Sequence, residues 1–163
     1  MSQNFLSTYA KSFNWAGFFL PKKIYLNSSN LYDFCRTLDN IADQDTALEI
    51  KKDNFKKYKD DFNNKNLTNP TIKKIYSLID NFKISPSVVL DLFDGIESDL
   101  KENIKLNSNK ELLVYSYRVA GTVGLMMAKI LNVKSKNSFK SAIDLGIAMQ
   151  LTNISRDVVE DGK

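Results

Sequence analysis

Ile143, Ile147, Leu151 and Ile154 recur at the three- and four-residue spacing of one helix face, and little elsewhere in the chain shows the apolar–polar alternation that paired strands need. Asp94-Gly95, a pair that could turn a hairpin, sits inside a longer helical pattern. An all-α fold follows. Pro21 suits the first turn of a helix running to about residue 45, and Pro70 and Pro86 do the same for two later ones, with Ser85 as an N-cap. The polar stretch 63–69 reads as a loop between a charged helix ending near Phe62 and an amphipathic one over 70–82. Further helices are expected over 109–131 and from about 135 to the end, where the apolar spacing continues to Asp161 with no stop signal before it.

The chemistry open to such a bundle is narrowed by what the chain lacks. It has no histidine and a single cysteine, Cys35, so it has no imidazole base or ligand and no internal disulfide. Any metal must be held by oxygen, which favours Mg²⁺, Mn²⁺ or Ca²⁺ over zinc. A net charge of +4 could suggest nucleic acid, but the lysines across 51–74 are interleaved with Asp53, Asp60 and Asp61 and read as a solvated face. Residues 1–10 lack the basic and apolar regions of a signal peptide. The apolar stretch 119–128, bracketed by Arg118 and Lys129, is too short to span a bilayer. A cytoplasmic protein is expected.

Asp39 and Asp43 stand four residues apart, which on a helix puts both carboxylates on one face. Asp157 and Asp161 repeat the spacing, with Asn153 one turn earlier and Gln150 just before it. A solvated surface is the ordinary reading of one such pair. Against it stand the apolar neighbours Leu38, Ile41 and Ala42 of the first pair, and Ile154 and Val158 of the second, which predict buried helices with carboxylates turned to an interior cavity. Unpartnered buried carboxylates are costly, and divalent cations compensate them. Two such stripes facing each other would hold Mg²⁺ against a diphosphate and let an allylic C–O bond ionise without a protein nucleophile.

Four blocks carry a resemblance: KSFNWAGFFLPKK (11–23), LYDFCRTLDNIAD (31–43), RVAGTVGLMM (118–127) and AIDLGIAMQLTNISRDVVED (142–161). In that order they resemble the squalene/phytoene synthase family over nearly the whole chain. The resemblance implies an isoprenoid synthase helical bundle around a central cavity, with metal roles for Asp39, Asp43, Asp157 and Asp161, Asn153 assisting and Glu160 nearby. It implies diphosphate contacts for Arg36 and Arg156, Gln150 beside them, and a closing Ser-Phe element at Ser12 and Phe13. A guanidinium beside carboxylates can grip phosphate oxygens bidentately, with a structural salt bridge as the competing account. Tyr115 occupies the place of a tyrosine implicated in proton handling, against which stands core packing with a satisfied hydroxyl. Ala120, Gly121 and Gly124 allow close helix packing or, as the resemblance implies, a bend lining a hydrocarbon channel. Phe18, Phe19, Leu125, Met126 and Met127 serve equally as core or as contacts for prenyl tails. Asn40 departs from the acid that many members carry there.

The implied reaction is that of a bacterial phytoene synthase: Mg²⁺- or Mn²⁺-dependent head-to-head condensation of two geranylgeranyl diphosphates through a cyclopropyl diphosphate, without NADPH. A squalene, presqualene or hydroxysqualene synthase acting on farnesyl diphosphate is the same-fold alternative. An inactive homologue serving assembly is the alternative of another class, opposed by the retained aspartates. The partners implied are prenyl diphosphates, with no nucleic acid, room for peripheral membrane association and no fixed oligomeric state. Residues 1–163 are expected to form the N-terminal part of one such domain, ending before the helices that complete the cavity wall, and on its own to associate and make no phytoene.

Overall fold

The computed structural model describes residue 17, residues 19–102 and residues 106–161, the last three by their backbone alone. Among the described residues there are helices and turns and no strand. The chain packs as two compact units, Met1–Ile84 and Ser85–Lys163.

The first unit is built on α1 (Lys22–Ala42), against which α2 (Leu48–Asn63) and α3 (Pro70–Phe82) pack. Each helix turns one stripe inward: Leu31, Phe34 and Leu38 from α1, Phe55, Tyr58 and Phe62 from α2, and Ile72, Ile75, Tyr76 and Ile79 from α3. The Phe34 ring lies 6.2 Å from Tyr58 and 6.5 Å from Phe62, and Phe62 stacks on Tyr76 at 5.1 Å. The Tyr76 hydroxyl donates to the Phe62 carbonyl at 2.8 Å, so the ring is buried without stranding its polar end. α1 is shorter than its sequence suggests. Pro21 occupies the N-cap rather than the first turn, and the helix stops at Ala42 with Asp43 at the C-cap, its backbone N–H donating to the Asp39 carbonyl.

The loop expected over 63–69 is held by one carboxylate. Asp61 accepts from the Asn66 side chain at 2.7 Å and the Asn69 side chain at 3.1 Å, while Asn69 Oδ1 accepts from the Thr71 and Ile72 backbone and so caps α3. Those bonds hold the Asp61 carboxyl below the usual carboxylate range. The lysine face expected across 51–74 is not solvated throughout. Lys74 turns from solvent to Asp33, which is buried on α1, and its ammonium lies 3.1 Å from Oδ2.

The second unit starts with α4 (Pro86–Glu97) and a short 3₁₀ turn, Ser98–Leu100. Ser85 stands at the N-cap as expected, but its hydroxyl pairs with Ser87 Oγ at 2.8 Å instead of capping the backbone. The helix expected over 109–131 is present in three pieces: α5 (Asn109–Ser116), a π turn (Tyr117–Gly121) and α6 (Thr122–Ile130). α6 ends where Asn132 takes a φ of 61°, a left-handed conformation that asparagine tolerates better than most residues. α7 (Lys136–Asp161) then runs back across the π turn and α6.

Glycines set how close these helices come. A Cβ on Gly124 would fall on the Ala142 carbonyl and one on Gly146 on the Ala120 carbonyl, so α7 meets the π turn and α6 backbone to backbone. A Cβ on Gly95 would meet Arg118 Cβ at 2.8 Å, which places α4 equally tight against the π turn. Of the expected core residues here, Met126 is buried and Leu125 and Met127 are half-buried. Phe19, in the first unit, is exposed, and Phe18 lies outside the described residues.

Candidate functional site

The first acidic pair stands at the C-terminal end of α1, with Asp39 in its last turn and Asp43 at its C-cap. Asp39 is half-buried and Asp43 exposed. Burial pushes the Asp39 carboxyl up to about 6; the Arg36 guanidinium opposes that shift and the Asp43 charge adds to it. Burial likewise raises the Tyr32 phenol and the Cys35 thiol, with the Asp39 charge contributing to both. The result is a patch in which negative charge is already disfavoured and Arg36 is the nearby cation that offsets it.

The second acidic pair lies near the end of α7. Asn153 and Asp157 are exposed, Gln150 is half-buried, and Asp161 belongs to the helix with its side chain outside the described residues, as is that of Glu160. Arg156 Nε and Nη2 donate to Asp157 Oδ1 at 3.1 and 2.9 Å, so the salt bridge that competed with a diphosphate role is formed. The expectation of a buried helix fails here. Val158 is 69% exposed and Ile154 half-buried, because the glycine contacts that anchor α7 lie in its first half.

Along α7, Leu145, Met149, Asn153 and Asp157 follow at four-residue steps and all four are exposed. At a rise of roughly 1.5 Å per residue this slowly winding stripe is about 18 Å long, apolar at one end and oxygen-bearing at the other.

Tyr115 is half-buried and its hydroxyl donates to Asp99 Oδ2 at 3.1 Å. Tyr117, on the π turn, donates to Asp91 Oδ2 at 3.2 Å, and burial first and Asp91 second raise its phenol above the usual range. Neither carboxylate partner is foreshadowed by the sequence, because residues 16 and 26 positions apart are joined only by folding. Ser12 and Phe13 lie outside the described residues.

The side chains in both acidic stretches are oxygen donors, and a raised carboxyl beside a second carboxylate is an arrangement that a divalent cation relieves. The residues therefore fit Mg²⁺ or Mn²⁺ in kind. Among the described residues no group of three or more Cys, Asp or Glu side chains is gathered as a metal cluster. None of the described helices is long and apolar enough to cross a membrane.

A family model described as Squalene/phytoene synthase matches residues 6–163. A 15-cis-phytoene synthase of Pantoea ananas is 30% identical over 164 residues, covering 93% of this chain and 53% of that protein. A presqualene diphosphate synthase of Sinorhizobium fredii is 32% identical over 133 residues, covering 80% of this chain and 48% of its own. In a crystal structure, a dehydrosqualene synthase in complex with ligand superposes with a TM-score of 0.74 at 29% identity, covering 98% of this chain and 57% of that one. The chain thus spans about half the length of the relatives it matches.

Proposed function

We propose for this chain, which belongs to the squalene/phytoene synthase family of prenyltransferases, the head-to-head condensation of two geranylgeranyl diphosphates to phytoene. The observation that carries this reading is the α7 stripe, in which exposed Leu145 and Met149 precede Asn153 and Asp157. A prenyl diphosphate has the same polarity along its length, with an apolar chain and an anionic head. The tail would lie along Leu145 and Met149 and the head at the oxygen-bearing end.

In this reading Asp39 and Asp43 on α1 would hold Mg²⁺ or Mn²⁺, and so would Asn153, Asp157 and Asp161 on α7. The bound ions supply charge neutralisation for a departing diphosphate. Arg36 and Arg156 grip diphosphate oxygens, Arg156 exchanging Asp157 for the ligand, and Gln150 donates beside them. Tyr115, kept in one orientation by Asp99, stands ready to take or return a proton. The first diphosphate leaves with its electron pair, the allylic cation is attacked by the double bond of the second substrate, and proton loss closes a cyclopropyl diphosphate. A second ionisation, rearrangement and proton loss give phytoene, with no reductant consumed.

The presqualene and dehydrosqualene synthases among the relatives favour a second reading, in which the same steps act on farnesyl diphosphate. Incubation of the intact protein and Mg²⁺ with each prenyl diphosphate, followed by extraction and chromatography, separates the two. Phytoene from the geranylgeranyl substrate supports the first reading. Products from the farnesyl substrate alone overturn it in favour of the second, and no product from either overturns both.

A further inference from the structure

Tyr115 and Tyr117 each donate to a carboxylate of the segment that precedes them, Tyr115 to Asp99 Oδ2 on the 3₁₀ turn at 3.1 Å and Tyr117 to Asp91 Oδ2 on α4 at 3.2 Å. The reaction proposed above gives Tyr115 a proton to handle and leaves Tyr117 without a part. Tyr117 is nevertheless held at both ends. Its backbone carbonyl accepts the Thr122 N–H that closes the π turn, and its phenol is tied to α4. An α-helix would give that N–H to the Arg118 carbonyl, which here accepts the Thr122 hydroxyl at 2.7 Å. Gly95, one turn after Asp91, admits Arg118 so closely that a Cβ there would meet the Arg118 Cβ at 2.8 Å, and this approach brings Asp91 within reach of the phenol. A π turn is a rare departure from the α form, so its surroundings have to hold it. If it reverted to an α turn, the helix upstream, Tyr115 included, would rotate by roughly 100° against α6.

We infer that Tyr117 is a positioning residue for Tyr115: its hydroxyl, fastened to Asp91, holds the π turn in its wide form and so keeps the Tyr115 phenol in phase with α6 and with α7, which packs on both the π turn and α6. Release of the Tyr117 phenol lets the turn relax toward the α form, and the proton-handling group swings although it is itself unchanged. The inference rests on the function proposed above for Tyr115.

The test is steady-state kinetics of the intact protein with Mg²⁺ and geranylgeranyl diphosphate, beside variants whose far-ultraviolet circular dichroism matches the parent's. Tyr117→Phe is expected to lower kcat about tenfold with KM unchanged, short of the roughly hundredfold that a misplacement of about 1 Å can cost. Asp91→Leu removes the same bond from the other helix and should match it, and it replaces Tyr117→Phe throughout if that variant does not fold. Asp91→Asn, which keeps an acceptor, should stay close to the parent. Because Tyr117 acts through Tyr115, Tyr117→Phe should cost nothing more in a Tyr115→Phe background, whereas for a merely structural role the two losses multiply. Parent-like kcat in Tyr117→Phe or Asp91→Leu, an Asp91→Asn as slow as Asp91→Leu, or full multiplication in the double variant overturns the inference. A parent protein that makes no phytoene overturns the proposed function, and this inference with it.

Discussion

The two acidic helices carry the same four-residue spacing in opposite surroundings. On α1 the aspartates adjoin a helix face packed on α2 and α3, Asp39 is half-buried, and its carboxyl is pushed up to about 6. On α7 the described aspartate is exposed and already neutralised by its neighbour Arg156. Spacing decides which side chains share a face, and packing decides whether that face is strained. The first pair is electrostatically uncomfortable without a cation, whereas Asp157 has its own.

The largest effect is expected where the two are alike. Asp39→Asn and Asp157→Asn in the intact protein should each cut turnover at least about a hundredfold with unchanged far-ultraviolet circular dichroism, since each removes a proposed metal ligand. Chelation by EDTA should abolish turnover and Mg²⁺ or Mn²⁺ restore it. Normal turnover in either variant, or in metal-free buffer, sinks the assignment.

Stability should then separate them. The Asp39 carboxyl is raised in the folded state, so its favourable contribution is complete below the unfolded value of 3.8 and is lost as pH rises through about 6. Asp39→Asn should therefore stabilise the metal-free protein at pH 7, by at most about 3 kcal/mol, and flatten its denaturation midpoint between those pH values. Asp157→Asn, at an exposed position, should stay within about 0.5 kcal/mol of the parent at pH 7. Equal behaviour of the two in urea titrations would erase the contrast drawn here.

A further measurement probes why α7 is held by only one of its halves. Gly146→Ala and Gly124→Ala, which in an open helix would each stabilise by roughly 1 kcal/mol, should here destabilise by about 1–3 kcal/mol, because each Cβ meets a backbone carbonyl. A more local effect lies in the first unit, away from either pair. Asn69→Ala removes the cap of α3 and should cost about 1 kcal/mol by thermal melting, leaving turnover unchanged.

Much of the fold is legible in residue order because helices are local. The end of the charged helix α2 near Phe62, the amphipathic α3, the loop over 63–69 and the start of α7 all follow from spacing and turn chemistry within a few residues. What escaped the sequence is non-local. Lys74 looks like one more solvated lysine until α3 packs on α1, and Val158 looks like core until α7 is seen to be anchored by its other end. Gly146 has no special mark in the chain, since its demand comes from a carbonyl 26 positions earlier, that of Ala120. Of the candidate site, the kinds and spacing of residues could be read directly, whereas the raised carboxyl of Asp39 and the phenol–carboxylate pairs could not.

The π turn has one more consequence. Its closing bond runs from the Thr122 N–H to the Tyr117 carbonyl, five residues back, so the helix through 109–130 gains one residue in that turn and its two halves are out of phase. Buried Ser116, Gly121 and Met126 accordingly succeed one another at five-residue intervals, a rhythm no ideal α-helix sustains. The halves act like two dials on one shaft: the upstream one aims the Tyr115 phenol at Asp99, the downstream one aims Gly124 at Ala142. The wider turn has already absorbed one extra residue; one more inserted between Tyr115 and Gly124 would turn one dial against the other by about 100°, and the chain could then keep the phenol's aim or the glycine's seat, but not both.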